Sequence, residues 1–204
     1  MEKICYIFGA GDNSVTNFLK GESDLVIAAD GGLKSLEKMN IIPDIIMGDF
    51  DSLGYVPKGD NVFIHPVMKD DTDTGLALKK AMELGYTHIV IFGGTGGRID
   101  HTIANFQNML YASRKGVYIE MKDSRHTYTV VTNKEITIKG EYDSIFSVFA
   151  IGGNASDVSI ENALYNIKDY DIYVVDCGRI YQNATLFENT QYVLYQTSDY
   201  YMQL

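Results

Sequence analysis

The sequence predicts an α/β N-terminal domain with a mostly parallel sheet, followed by a small all-β sandwich domain. Three observations predict it. Through about residue 120, continuous apolar runs alternate with helix-period stretches, as for strands buried on both faces and joined by crossover helices. Several of these runs end directly in Asp or Gly. Beyond about residue 120, helical periodicity fades, and short β-like segments separated by Asn and Gly take over. The expected domains are therefore 1–120 and 121–204.

The elements follow in order. Ile4–Phe8 is a short apolar run entering Gly9-Ala10-Gly11, a close-approach turn of lesser weight. Leu25–Ala29 ends at Asp30-Gly31-Gly32, and Leu33–Met39 places Leu33 and Leu36 on one helical face. Ile45–Met47 runs into Gly48-Asp49-Phe50-Asp51-Ser52. Val62–His65 precedes Lys69-Asp70-Asp71-Thr72-Asp73, which opens a helix over Thr72–Leu84. That helix carries Leu76, Lys79, Lys80 and Glu83 at helical spacing with Ala77, Ala81 and Leu84 alongside, and Gly85 closes it. Ile89–Phe92 leads into Gly93–Gly97, and Ile103–Arg114 is a third helix closed by Gly116. Such βα units make a parallel sheet with right-handed crossovers, a Rossmann-like arrangement. The β-like segments beyond are Tyr128–Thr132, Glu135–Ile138, Ile145–Ala150, Val158–Ile160, Ile172–Val175 and Tyr192–Tyr195.

Composition narrows the function classes. Hydrophobic residues make up 46% of the 204, ample for a core, and the formal net charge is −10. A chain this acidic lacks the clustered Lys and Arg that nucleic acids and anionic membranes demand. A phosphorylated ligand needs only a local positive site and a metal. The two cysteines, Cys5 and Cys177, form no CxxC or Cys/His cluster, so neither a disulfide framework nor a zinc site is expected. The N-terminus has no signal-peptide layout and no apolar run is long enough to span a bilayer. A cytoplasmic protein is expected.

In parallel sheets, ligands sit beyond the carboxyl ends of the strands. Asp30, Asp49 with Asp51, Asp70 with Asp73, and Gly93–Asp100 all fall there. Carboxylates gathered with a glycine loop and an arginine suit a magnesium nucleotide: Mg²⁺ takes one or two carboxylates plus substrate phosphates, and loop amides reach phosphate oxygens. A locally extended 49–51 segment turns Asp49 and Asp51 to one face with Phe50 anchored inward; the alternative is a plain polar turn. In the third cluster, helix capping uses one or two residues. Asp70 and Asp73 are the functional candidates, and Asp71 the exposed spectator. Gly94, Thr95, Gly96 and Gly97 do not form a Walker A loop, but they precede a helix whose first amides suit phosphate. Arg98 suits phosphate, Asp100 suits Arg98 or a metal, and His101 suits a phosphate or a cap. Cys5, His65, His88 and His126 read as structural.

These segments, in order and spacing, closely resemble the thiamine pyrophosphokinase family. The carriers are Ser23–Gly32, Pro43–Ser52, Asp70–Asp73, and Gly96-Gly97-Arg98-Ile99-Asp100-His101 with Asn105. The resemblance implies transfer of pyrophosphate from ATP to the hydroxyethyl group of thiamine, a requirement for Mg²⁺, and a homodimer with active sites at the subunit interface. It implies that Asp49, Asp51 and Asp73 hold Mg²⁺, and that Asp30 and Asp100 belong with them to the catalytic set. Gly94–Arg98, Asp70, His101 and Asn105 are implied to bind ATP, and Ser52, Tyr181 and Gln182 to bind the acceptor. One segment departs from the family. Where it carries a Gly-x-Ser-Asn-Glu-like stretch, this chain has Cys177-Gly178-Arg179-Ile180-Tyr181-Gln182-Asn183. The departure leaves two alternatives: another heteroaromatic alcohol as acceptor, such as a pterin, or a nucleotide- or thiamine-binding module without catalysis.

Overall fold

The computed structural model describes residues 3–14, 18–66, 71–139, 144–172, 175–187 and 191–197, the last two segments by backbone alone. The chain divides into two units, Met1–Asn108 with Val117–Ser124, and Met109–Gly116 with Arg125–Leu204. The first contains β1 (Ile4–Phe8), β2 (Leu25–Ala29), α1 (Gly32–Lys38), β3 (Ile45–Gly48), β4 (Val62–Ile64), α2 (Asp73–Glu83), β5 (His88–Phe92) and β6 (Tyr118–Lys122), with α3 (Ile99–Arg114) beginning in it.

All six strands of this unit pair in parallel, in the order β6-β5-β1-β2-β3-β4. The order reverses at β1, which lies between β5 and β2. Alternate residues of the central strands face opposite layers. Phe8, Val26, Ala28, Val90 and Phe92 pack with Leu33 and Leu36 of α1 and with Phe50 and Leu53. Leu36 is fully buried, and burying a leucine is worth roughly 1.5–3 kcal/mol. On α2 the buried residues are Gly75, Ala77, Leu78 and Ala81, and the helix contacts β1, β2 and β3. The face therefore centres on Leu78 rather than on Leu76 and Leu84, which is exposed. The Thr72 hydroxyl caps α2, accepting from the Gly75 amide at 3.1 Å. Cys5 is a core residue; burial, helped by Asp44 and Asp24, pushes its thiol pKa far up, so it stays protonated.

Two differences from the sequence reading matter. β6 is a sixth parallel strand, paired with β5 from His88↔Tyr118 to Phe92↔Lys122, and residue 120 lies inside it. Its burial alternates, so it reads like the half-buried strands further on rather than like a central strand. α3 begins at Ile99, not Ile103, so Asp100 and His101 lie in its first turn.

The second unit holds β7 (His126–Thr132), β8 (Ile136–Ile138), β9 (Ile145–Ala150), β10 (Ala155–Ala163), β11 (Ile167–Ile172), β12 (Val175–Phe187) and β13 (Gln191–Thr197). Its pairings are antiparallel, in the order β11-β10-β12-β9-β13-β7, with β8 on β12. The long β12 pairs with β9 over Val175–Arg179, and with β8 and β10 over its far half. Val131, Ile138, Phe146, Val148, Val158, Ile160 and Ile172 form this unit's core. Among the described residues, no helix is long and apolar enough to cross a membrane.

Candidate active site

A cleft of about 520 Å³ lies at the carboxyl ends of the first unit's strands, where the strand order reverses. Ala10 and Gly11 line it from β1, Asp30 from β2, Gly93–Thr95 from β5 and Asp71–Thr74 from the head of α2. This is the crevice where doubly wound sheets take ligands.

Asp30, Asp49 and Asp51 each offer a carboxylate oxygen, and the three oxygens lie within 4.8 Å of one another. Local backbone geometry brings them together. Asp30 leaves β2 in the left-handed region at φ 46°, its amide donating to the Met47 carbonyl at 2.8 Å. Gly48, at φ 155°, passes so close that a Cβ there would meet the Asp30 Cα at 3.0 Å. The 49–51 segment is not extended. Phe50 is left-handed at φ 62° and buried, and the Asp51 amide donates to Asp49 Oδ1 at 3.2 Å. The two carboxylates converge through a tight turn with Phe50 as its anchor.

Ser52 donates its hydroxyl to Asp30 Oδ2 at 2.6 Å. Asp30 is only 9% exposed, and its Oδ1 is buried with no hydrogen-bond partner among the described residues. A buried carboxylate oxygen in that condition calls for a cation or a donor. Asp73, the first residue of α2, lines the same cleft but stands outside the compact group. Asp71 is no exposed spectator: it is half-buried, lines the cleft and binds Lys79. Asp70 lies outside the described residues.

The glycine loop is held from behind by its carbonyls. Gly11 N–H donates to Gly93 O at 2.9 Å and Asp12 N–H to Thr95 O at 2.7 Å, while buried Asn105 gives its Nδ2 to Gly94 O at 2.9 Å. The Thr95 hydroxyl turns to Asp123 at 3.1 Å. The amides of Gly94, Thr95, Gly96 and Gly97 donate to no backbone carbonyl among the described residues, which suits an anion. Asn105 thus supports the loop, and Gly9–Gly11 serves as its brace. Asn105→Leu leaves the Gly94 carbonyl buried and unmet. The expected cost is about 1–3 kcal/mol, read as a lowered urea midpoint.

Arg98 and His101 line the cleft from its exposed side. Arg98 Nε and Nη2 bind both oxygens of Asp100. That hydrogen bond holds the Asp100 carboxyl below the usual carboxylate range and raises the Arg98 pKa. The sign is that of a depressed acid: the pairing persists above the ordinary carboxylate pKa and is lost only as pH falls through the lowered one. Asp100 is therefore engaged with Arg98 and stands apart from the acidic group. Ser52 lines the cleft beside Asp30. Tyr181 and Gln182 lie in β12, and their side chains fall outside those described.

Sequence reasoning gave the Gly9-Ala10-Gly11 turn lesser weight, though Ala10 and Gly11 line the cleft, and passed over Thr74, Thr102 and Asp123, which carried no signal of their own.

Residues 16–121 match the family described as thiamin pyrophosphokinase, catalytic domain. The chain is 31% identical over 150 residues to the thiamine pyrophosphokinase of Bacillus subtilis (strain 168), covering 69% of this chain and 67% of that one. In fold it is similar to the crystal structure of thiamin pyrophosphokinase from Geobacillus thermodenitrificans, with a TM-score of 0.83, 24% identity, and coverage of 98% and 100% of the two chains. The enzyme from Candida albicans is similar at a TM-score of 0.78, with 14% identity and coverage of 97% and 90%. With the matched segment spanning the carboxyl ends of β2, β3 and β5 and the head of α2, the chain belongs to the thiamin pyrophosphokinase family.

Proposed function

We propose that the protein transfers the β,γ-pyrophosphoryl group of ATP to the hydroxyethyl oxygen of thiamine, giving thiamine diphosphate and AMP. One juxtaposition carries the reading: in a chain of this family, the Asp30, Asp49 and Asp51 group adjoins the cleft that the braced glycine loop also lines. Pyrophosphoryl transfer asks for positioning and charge neutralisation more than covalent chemistry.

Magnesium fits these donors, which are hard oxygens with one buried Asp30 oxygen unmet. A magnesium ion held there would neutralise charge on the phosphate oxygens. Asp49 and Asp51 belong to every donor set the cleft offers. Asp30 is the third carboxylate of the compact group, and Asp73 the third that the family resemblance implies. Whichever of Asp30 and Asp73 is not drawn into coordination is left to accept the hydroxyl proton. The amides of Gly94, Thr95 and Gly97, with Arg98, bind phosphate oxygens, with His101 beside them, while Gly96 is not among the residues lining the cleft. Asn105, Thr95 and Asp123 keep the loop in place. Asp30→Asn and Asp73→Asn should divide these roles. The ligand variant raises the magnesium concentration needed for half-maximal rate; the proton-acceptor variant keeps that concentration and loses rate at saturating magnesium.

The remaining assignments extend the reading. The β-rich second unit is a small sandwich that contributes Tyr181 and Gln182 to acceptor binding, the protein works as a cytoplasmic homodimer, and active sites lie at the subunit interface. The net charge of −10 supports small-molecule rather than nucleic-acid partners.

The test is AMP release from Mg-ATP with and without thiamine, with mass detection of the product. Thiamine-dependent AMP accompanied by thiamine diphosphate is expected. AMP formed only with another alcohol, a pterin for instance, would move the acceptor and leave the pyrophosphoryl chemistry standing. Nucleotide binding without AMP from any acceptor would make the protein a binding module.

A further inference from the structure

Asp71 adds a carboxylate to a cleft already lined by Asp30, Asp51 and Asp73, with Asp49 grouped beside them. A cleft that takes a polyphosphate gains nothing from another unbalanced negative charge, because like-charge juxtaposition opposes binding. Asp71 is balanced from within the fold. Lys79 Nζ lies 2.8 Å from Asp71 Oδ1 and 2.7 Å from Oδ2, so one ammonium covers both oxygens. Helix geometry makes this reach possible. Side chains on a helix lean toward its N-terminus, and Lys79 lies about two turns into α2, so its stem runs back over the first turn to the residue before the Thr72 cap. The pair is half-exposed, with side-chain exposures of 41% for Lys79 and 34% for Asp71. In α2's first two turns Lys79 is the first cation, and it does not itself line the cleft.

We propose that Lys79 is a positioning residue for the nucleotide: it cancels the Asp71 charge and holds that carboxylate against the helix head, so that the polyphosphate meets one negative charge fewer. The inference rests on the proposed reading that this cleft takes Mg-ATP. Lys79 touches neither nucleotide nor cation in this account, and the effect proposed passes through Asp71. An exposed ion pair contributes little to stability, so the consequence lies in binding rather than folding.

The test is a double-mutant cycle on the full chain, read by calorimetric titration with Mg²⁺ and α,β-methylene-ATP, which cannot be cleaved at the bond that pyrophosphoryl transfer breaks. Lys79→Met keeps the apolar stem and removes the charge. It should raise the Kd by roughly three- to tenfold, the range one uncompensated like charge commands at a half-exposed position. Asp71→Asn combined with Lys79→Met should return the Kd to about the wild-type value. In turnover with thiamine, Lys79→Met should raise KM for Mg-ATP and leave kcat near wild type. A Lys79→Met Kd equal to wild type overturns the proposal. So does a double variant as weak as Lys79→Met alone, which would mean that Lys79 acts on the nucleotide directly or through packing. Wild-type protein that fails to bind the Mg²⁺ analogue defeats the functional reading itself, and is told apart because the variants are then never compared.

Discussion

Asp49→Asn is expected to lower kcat/KM for Mg-ATP by about 10²–10³-fold while the protein stays folded. Losses of that size follow when one preorganised electrostatic partner of a transition state is removed. Asp49 lies at the carboxyl end of β3, and its carboxylate belongs to the group with oxygens within 4.8 Å of one another. The substitution keeps shape and hydrogen-bonding capacity but removes the charge that a hard cation requires. The fold should persist because the 49–51 turn is anchored by Phe50, which is buried in the core with Leu33, Leu36 and Leu53. Circular dichroism and urea unfolding separate the two effects. A variant with wild-type turnover would remove Asp49 from the site.

Gly11→Ala is expected to have the second large effect, on stability and on the site together. The Gly11 amide braces Gly93 O at 2.9 Å, and a Cβ at residue 11 would lie 2.1 Å from Thr95 O and 2.7 Å from Gly93 O. Both obstacles are backbone atoms, so no side chain can turn aside. One of the two loops must move, at a cost of about 2–4 kcal/mol, and the amides of Gly94–Gly97 move with it. A lowered urea midpoint together with weakened nucleotide binding is the expected pair of readings. Unchanged stability would show that the two loops do not interlock as described.

The legible parts of this chain were those in which one residue type answers one physical demand. Continuous apolar runs such as Leu25–Ala29 identify strands buried on both faces, and the Asp or Gly that follows marks the ligand edge. Asp30, Asp49 and Asp51 could therefore be assigned to one edge without coordinates. The tightness of their grouping could not, because it depends on Phe50 taking a left-handed conformation that phenylalanine seldom adopts. β6 escaped because Tyr118, Glu120 and Lys122 alternate with buried residues, the pattern of the strands beyond it. The first turn of α3 escaped because Ile99 is exposed and so adds nothing to the helix's apolar face. The Asp71–Lys79 pair spans a cap and two helical turns, a relation that no local spacing rule reports. Asn105 illustrates a different gap: the motif carries the residue, but only the fold shows its amide supporting Gly94 rather than facing outward.

The central claim is that this cleft moves two phosphates as one group onto an alcohol. It is tested most directly with ATP labelled separately at the β- and γ-phosphates, incubated with the protein, magnesium and thiamine, and with Asp49→Asn in parallel. The account predicts that both labels arrive together in thiamine diphosphate, that AMP leaves unlabelled, and that Asp49→Asn forms neither product at a comparable rate. Transfer of the γ-label alone with release of ADP would contradict it, as would full activity in Asp49→Asn.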